Sequence, residues 1–178
     1  MKYFLLASTS ILIATLSIRV DAAQLILNDE SCVGPTNDVV VAVVRSDSAE
    51  VSVYDITVSN NFSKPVRNLL IGDGDEMEFR PDPELEYTVT GSPSGWSGEN
   101  IQKIESIYAH FFWRTRARNY VNPGEILAGF QITVTGNSSG SPSLGNDGLP
   151  LTGKNLIGLP FQVDFRGGGC AWGRLLTK

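Results

Sequence analysis

Between positions 108 and 118 every second residue carries a ring or a positive charge: Tyr108, His110, Phe112, Arg114, Arg116 and Arg118. Alternate side chains of an extended chain leave the same face, so a single strand here would display all six together. Aromatic rings stack on flat apolar ligands such as sugar faces, while guanidinium groups fork onto hydroxyls, carboxylates or sulfates. That is the chemistry of recognition, and it suits a polysaccharide or a protein at the cell surface. A plainer reading stands beside it: a sheet exterior whose arginine stems lie along the surface and whose charges pair with nearby glutamates.

Other residues with chemical potential are fewer. Asp73, Asp75, Glu76 and Glu78 crowd one turn, as the ligands of a hard cation such as calcium do. Met77 interrupts the EF-hand spacing and the downstream Gly and Glu are missing, so a solvated acidic turn competes with the calcium site. One histidine and two distant cysteines cannot build a histidine- or cysteine-based metal centre. Gly136-Asn-Ser-Ser-Gly140 formally matches the nucleophile elbow of hydrolases. It is followed by Ser-Pro-Ser-Leu-Gly where the motif needs a helix, and His110 lies on the wrong side of it in the chain. No catalytic constellation results, and no cofactor is expected. Trp96 and Trp172 each sit near turn glycines, where a tryptophan is expected to plug the end of a sandwich; the alternative is an exposed sugar platform. Asn61-Phe-Ser63 and Asn137-Ser-Ser139 are glycosylation sequons.

The start of the chain reads as an export signal over residues 1–22. Lys2 is followed by an apolar stretch from Phe4 to Ile18, and Val20-Asp21-Ala22 offers small residues for cleavage. The apolar run is short for a membrane span, and no later segment has the length to cross a bilayer. A secreted, extracellular or periplasmic location is therefore expected, with residues 23–178 forming one domain. Loss of Lys2, Arg19 and Asp21 removes a net charge of +1, taking the chain from −5 to −6. Such acidity argues against nucleic acid and against anionic membrane surfaces as partners. In an exported chain Cys32 and Cys170 are expected to pair, tying the first and last parts of the domain; two unpaired buried thiols are the alternative.

What must position these residues is a set of strands. Phe130, Ile132 and Val134 alternate with Gln131, Thr133 and Thr135, the pattern of a half-buried strand. Leu127 has the wrong parity for that face, and Gly129 is placed to absorb the slip as a bulge. Pro123-Gly124 makes the preceding turn. Tyr54, Ile56 and Val58 form a second alternating face, and Leu85, Tyr87 and Val89 a third. Val66–Ile71 is a further strand, starting after Lys64-Pro65. Gln24–Leu27 is a short candidate, and the unbroken run Val39–Val44 suits a central strand covered on both faces. Residues 99–118 fit helical spacing through Ile101, Ile104, Tyr108, Phe111 and Phe112. The density of strand-favouring residues decides for a strand from about Ser106 to Ala117, with Ile107, Ala109, Phe111 and Trp113 inward. Residues 136–158, rich in Gly, Ser, Pro and Asn, read as a mobile or functional loop. Pro160–Phe165 is the last expected strand, kinked by Gly167-Gly-Gly169, with Cys170-Ala-Trp172 closing the domain. The sum is an all-β, antiparallel β-sandwich of Ig-like or jelly-roll topology.

Tyr54-Asp-Ile-Thr-Val-Ser-Asn-Asn61, Pro93-Ser-Gly-Trp96, Trp113 and Pro123-Gly-Glu-Ile-Leu-Ala-Gly-Phe130 together resemble a pattern in uncharacterised bacterial exoproteins, many of which carry a sorting tail of the PEP-CTERM kind. The resemblance covers roughly residues 50–135. It implies a β-rich exported domain without established activity and names no catalytic residue. Arg174-Leu-Leu-Thr-Lys178 is not such a tail, so a secreted rather than an anchored form is expected. The function this supports is a non-catalytic binding or surface and matrix component, with a carbohydrate-binding module acting through the 108–118 face as the more specific form.

Overall fold

A computed structural model of the chain describes residues 32–178 apart from 35, 73–78, 103–108, 116–117, 138–143 and 146–147, and apart from the side chains at 101, 102, 109 and 110. The described residues form eleven strands and no helix. They are β1 (Cys32–Val33), β2 (Val39–Asp47), β3 (Val51–Asn60), β4 (Val66–Ile71), β5 (Glu86–Gly91), β6 (Trp96–Gln102), β7 (Ala109–Thr115), β8 (Glu125–Thr135), β9 (Pro160–Phe165), β10 (Cys170–Arg174) and β11 (Leu176–Thr177). A six-stranded sheet runs β1-β10-β9-β4-β7-β6, and a five-stranded sheet runs β11-β2-β3-β8-β5. The neighbours are antiparallel except for the two-residue strands β1 and β11, which pair parallel with β10 and β2. The protein is a β-sandwich. The segments read as an export signal and as a strand at 24–27 lie outside the described residues.

Period-two alternation decides which residues enter the core. Tyr54, Ile56 and Val58 of β3 and Phe130, Ile132 and Val134 of β8 are fully buried between the sheets, facing Leu69, Ile71, Trp113, Val163 and Phe165 of the other layer. The β3–β8 pairing passes from Ile56↔Phe130 to Thr57↔Ala128, leaving Gly129 unpaired. Its φ of 102° is one that L-residues with a Cβ avoid, and the bulge returns Leu127 to the core side. The turn into β8 closes with Glu125 N donating to Asn122 O, with Gly124 at φ 81°.

Several expectations are corrected. Residues 96–102 form β6, which alternation alone does not reveal: Gly98 is there because a Cβ would strike the Trp113 indole and Val89. Residues 109–115 are strand, with Phe111 and Trp113 buried as expected and no helix over the described part of 99–118. β2 is not covered on both faces: Val39, Val41 and Val43 are buried, whereas Val40 and Ala42 are half-buried and Val44 is exposed. β9 is an inner strand rather than the last. Gly167–Gly169 is the loop of a hairpin into β10, with Gly168 N donating to Phe165 O. The described end of the 136–158 segment is docked, not loose, since Leu156 is completely buried.

Two tyrosines hold that segment down. Tyr54 donates its hydroxyl to Lys154 O and accepts from Leu156 N, while Tyr87 donates to Thr152 O. Burial pushes both phenols above their ordinary pKa. A raised folded-state value means stability that is full below about pH 10 and is lost as pH rises through the folded values. Chemical denaturation at stepped pH should therefore show a fall in stability beginning near pH 10. The fall should be smaller in Tyr87→Phe; an equal fall there would assign the alkaline loss to other groups.

At the open side of the sandwich, the Asn100 amide takes the place of a neighbouring strand. Its Oδ1 accepts from Val89 N at 2.9 Å and its Nδ2 donates to Tyr87 O at 2.7 Å. The free edge of β5 is thereby partly satisfied by a side chain from β6, which also limits strand addition there.

Candidate surface for ligand binding

The outer face of the six-stranded sheet gathers the groups able to recognise a ligand. Because Phe111 and Trp113 of β7 point inward, Phe112 and Arg114 point outward. On β10, Ala171 is buried and Gly173 lies against the Phe161 ring, so Trp172 and Arg174 are the outward residues. The strand register places Trp172 beside Gln162, Gln162 beside Leu70, Leu70 beside Phe112, and Phe112 beside Glu99. Two aromatic residues thus share one cross-strand row, three strand spacings or about 14 Å apart.

The next row reads Cys170, Asp164, Asn68, Arg114 and Ser97. Asn68 Nδ2 donates to Asp164 Oδ2 at 2.7 Å, and Gln162 Nε2 donates to Asp164 Oδ1 at 3.1 Å. This strip is nearly closed to solvent, with Gln162 3% and Asp164 6% exposed. Its amide–carboxylate bonds meet the demand that buried polar groups find partners. The open groups lie to either side. Trp172 is 40% exposed, and the exposed pair Arg114 and Glu99 sits 3.9 Å apart, too loose to neutralise the guanidinium for other partners. Arg174 is exposed and donates Nη1 to Gly158 O at 3.1 Å, which orients it along the same face. Trp172 is held from behind: Thr36 N donates to its carbonyl at 3.2 Å, and a Cβ on Gly34 would collide with the indole.

The stripe of residues expected from sequence is only partly assembled within the described structure. Phe112, half-buried, and Arg114, exposed, share the face as expected. Arg118 is exposed beyond the end of β7, in a turn with φ 63°, and so does not stand on the strand. Tyr108 and Arg116 lie outside the described residues, as does the His110 side chain; so do Asp73, Asp75, Glu76 and Glu78, the calcium candidates. Among the described residues no three His, Cys, Asp or Glu side chains converge as metal ligands would. The two tryptophans separate. Trp96 is the expected plug, buried and donating Nε1 to Asn119 O at 2.7 Å. Trp172 is not a plug but a surface indole. Its signal was available in Cys170-Ala-Trp-Gly-Arg174, where the small residues are the ones turned to the core.

No protein-family model matches the chain, and no curated protein matches it. Among solved structures it is similar to an uncharacterised protein from Nocardia farcinica with an immunoglobulin-like fold, at 13% identity and a TM-score of 0.47, covering 74% of this chain and 81% of that one. It is also similar to a family IIIA CBD from Clostridium cellulolyticum, at 14% identity and a TM-score of 0.43, covering 80% and 99%. A GH20 exo β-N-acetylglucosaminidase from Vibrio harveyi aligns at 12% identity and a TM-score of 0.40, over 79% of this chain but 18% of the enzyme. These likenesses are too distant to speak of ligand or activity. The sandwich itself is established by the strand pairing described above.

Proposed function

We propose that the protein is an exported, non-catalytic binding domain whose outer six-stranded face takes an extended polysaccharide bearing carboxylate or sulfate groups. The observation that carries this reading is the surface indole of Trp172 in one row with Phe112, flanked by the exposed guanidinium groups of Arg114 and Arg174. A sugar ring stacks on the indole, and the arginines supply forked donors to its anionic substituents. The hydrogen-bonded Asn68–Asp164–Gln162 strip, shielded from solvent together with Leu70, braces the sheet between them, so the aromatic groups are held at fixed spacing before the ligand arrives. The Cys32–Cys170 disulfide fits a compartment outside the reducing cytoplasm. Among the described residues no helix is long and apolar enough to cross a membrane.

Affinity electrophoresis in gels containing a neutral glucan, a polyuronate or a sulfated glycan tests this directly. The native chain should be retarded most by the anionic polymers, and less as salt is raised. Trp172→Ala should weaken retention about tenfold, equivalent to about 1.4 kcal/mol. Arg114→Ala should reduce both the retention and its salt dependence. Retention by none of the three polymers, or retention indifferent to both substitutions, would leave a surface or matrix component without a glycan site on this face.

A further inference from the structure

We propose that the outer face of the five-stranded sheet is where two copies of this chain meet, forming a two-fold symmetric dimer. Three observations point to a second copy as the occupant. The first is a mismatch within β2. The unbroken Val39–Val44 run has the composition of a strand covered on both sides, yet the sandwich covers only one. Its outward residues Val40, Ala42 and Val44 are joined through the strand register by Ile126 and Ala128 on β8 and Leu176 on β11. Ile126 is 71% exposed, Leu176 52% and Val44 46%. An antiparallel sheet that ends at solvent ordinarily turns polar residues outward; here β3 does so, with Ser59, Thr57 and Asp55, whereas β2, β8 and β11 on either side of it turn apolar residues out.

The second observation is charge. The outward positions of β2, β3, β8 and β5 carry no lysine or arginine, and their only acids are Asp55 and Glu86; at the β11 edge the exposed Lys178 follows, its backbone N donating to Val43 O. Asp55 accepts from Gln131 Nε2 at 2.9 Å within its own sheet. A chain with net charge −5 repels its own copy over most of its surface, so a nearly uncharged face is where self-contact costs least. A face with few charges also offers a charged partner little to grip. The third is size. Five strands of 2, 9, 10, 11 and 6 residues, about 4.8 Å apart and rising about 3.4 Å per residue, make a face of roughly 600 Å². Two such faces would bury about 1,200 Å² in all, the lower end of the range for specific interfaces, which suits a concentration-dependent dimer. A two-fold axis through the face would place the same apolar residues on both sides, as an isologous contact requires.

Sedimentation velocity across a range of concentrations, on the disulfide-bonded chain, tests the dimer. The native protein should show a concentration-dependent mass reaching twice that of the chain. Ile126→Lys and Val44→Lys each replace an exposed residue, so the fold should hold, as circular dichroism would verify. Either should weaken dimerisation at least about tenfold by burying an unpaired charge. A native chain that stays monomeric throughout would overturn the proposal, as would a dimer that neither substitution weakens. Because the altered residues lie on the sheet opposite Trp172, a monomeric Ile126→Lys variant should still bind the anionic polysaccharide. Failure of the dimer and failure of the glycan site are therefore separable.

Discussion

Replacing Cys32 and Cys170 together by serine should lower the unfolding free energy by about 5 kcal/mol, the chain-entropy value for so long a closed loop. The bridge joins residues 138 apart in sequence, whose Cα atoms lie 4.4 Å apart as register partners of β1 and β10. Within a single sheet, not between the two, it holds an edge strand of only two residues. Without it, β1 keeps few bonds of its own, and the Gly34 backbone loses its anchor against Trp172. For a domain of this size the loss corresponds to a fall in melting temperature of roughly 10–20 °C. Guanidinium denaturation of the oxidised protein and of the double serine variant would measure it. A difference below about 1 kcal/mol would mean that the unfolded chain is already compact enough for the bridge to constrain little.

Phe130→Ala should cost about 3–5 kcal/mol. The ring is completely buried at the centre of the sandwich. It meets Trp96 edge-on with centroids 5.1 Å apart and Trp113 edge-on at 5.7 Å. Truncation removes its burial and two aromatic contacts worth about 0.5–1.5 kcal/mol each beyond area. The two indoles cannot close over the gap, because each is fixed by its Nε1: Trp96 to Asn119 O, and Trp113 to Gly91 O at 3.0 Å. Denaturant titration followed by tryptophan fluorescence reads both the midpoint and the changed surroundings of the indoles. Phe130→Leu should recover about half of the loss. A cost below about 1.5 kcal/mol in the alanine variant would show that the core relaxes around the site.

How far the sequence reveals this molecule depends on which forces act locally. β3 and β8 are legible because each buries one face, and burial imposes alternation on Tyr54, Ile56, Val58, Phe130, Ile132 and Val134. Gly129 is legible as a bulge because the parity of the apolar residues breaks on either side of it. β6 is not: Trp96-Ser-Gly-Glu-Asn-Ile-Gln102 lacks a full apolar face. It is a strand because β7 pairs along its length and because Gly98 admits the Trp113 indole, both facts of distant chain. The disulfide is legible from cysteine count and export context, whereas the identity of its strands is not. The candidate surface divides in the same way. Phe112 and Arg114 follow from alternation. Trp172, Gln162, Asp164 and Asn68 come to one face only through the order of β10, β9 and β4, and no spacing rule encodes that order.

The Cys32–Cys170 bridge has a mechanical consequence. A pull applied between Cys32 and Lys178 leaves through the residues after Cys170, so the covalent bond carries the load past everything between. Among the described residues, the run outside the bridged loop is Ala171 to Lys178, which can be peeled and lengthened. Under tension the bridged body would hold as a stiff bead, while peeling of the run after the bridge would take Trp172 and Arg174 from one outer face and Leu176 from the other.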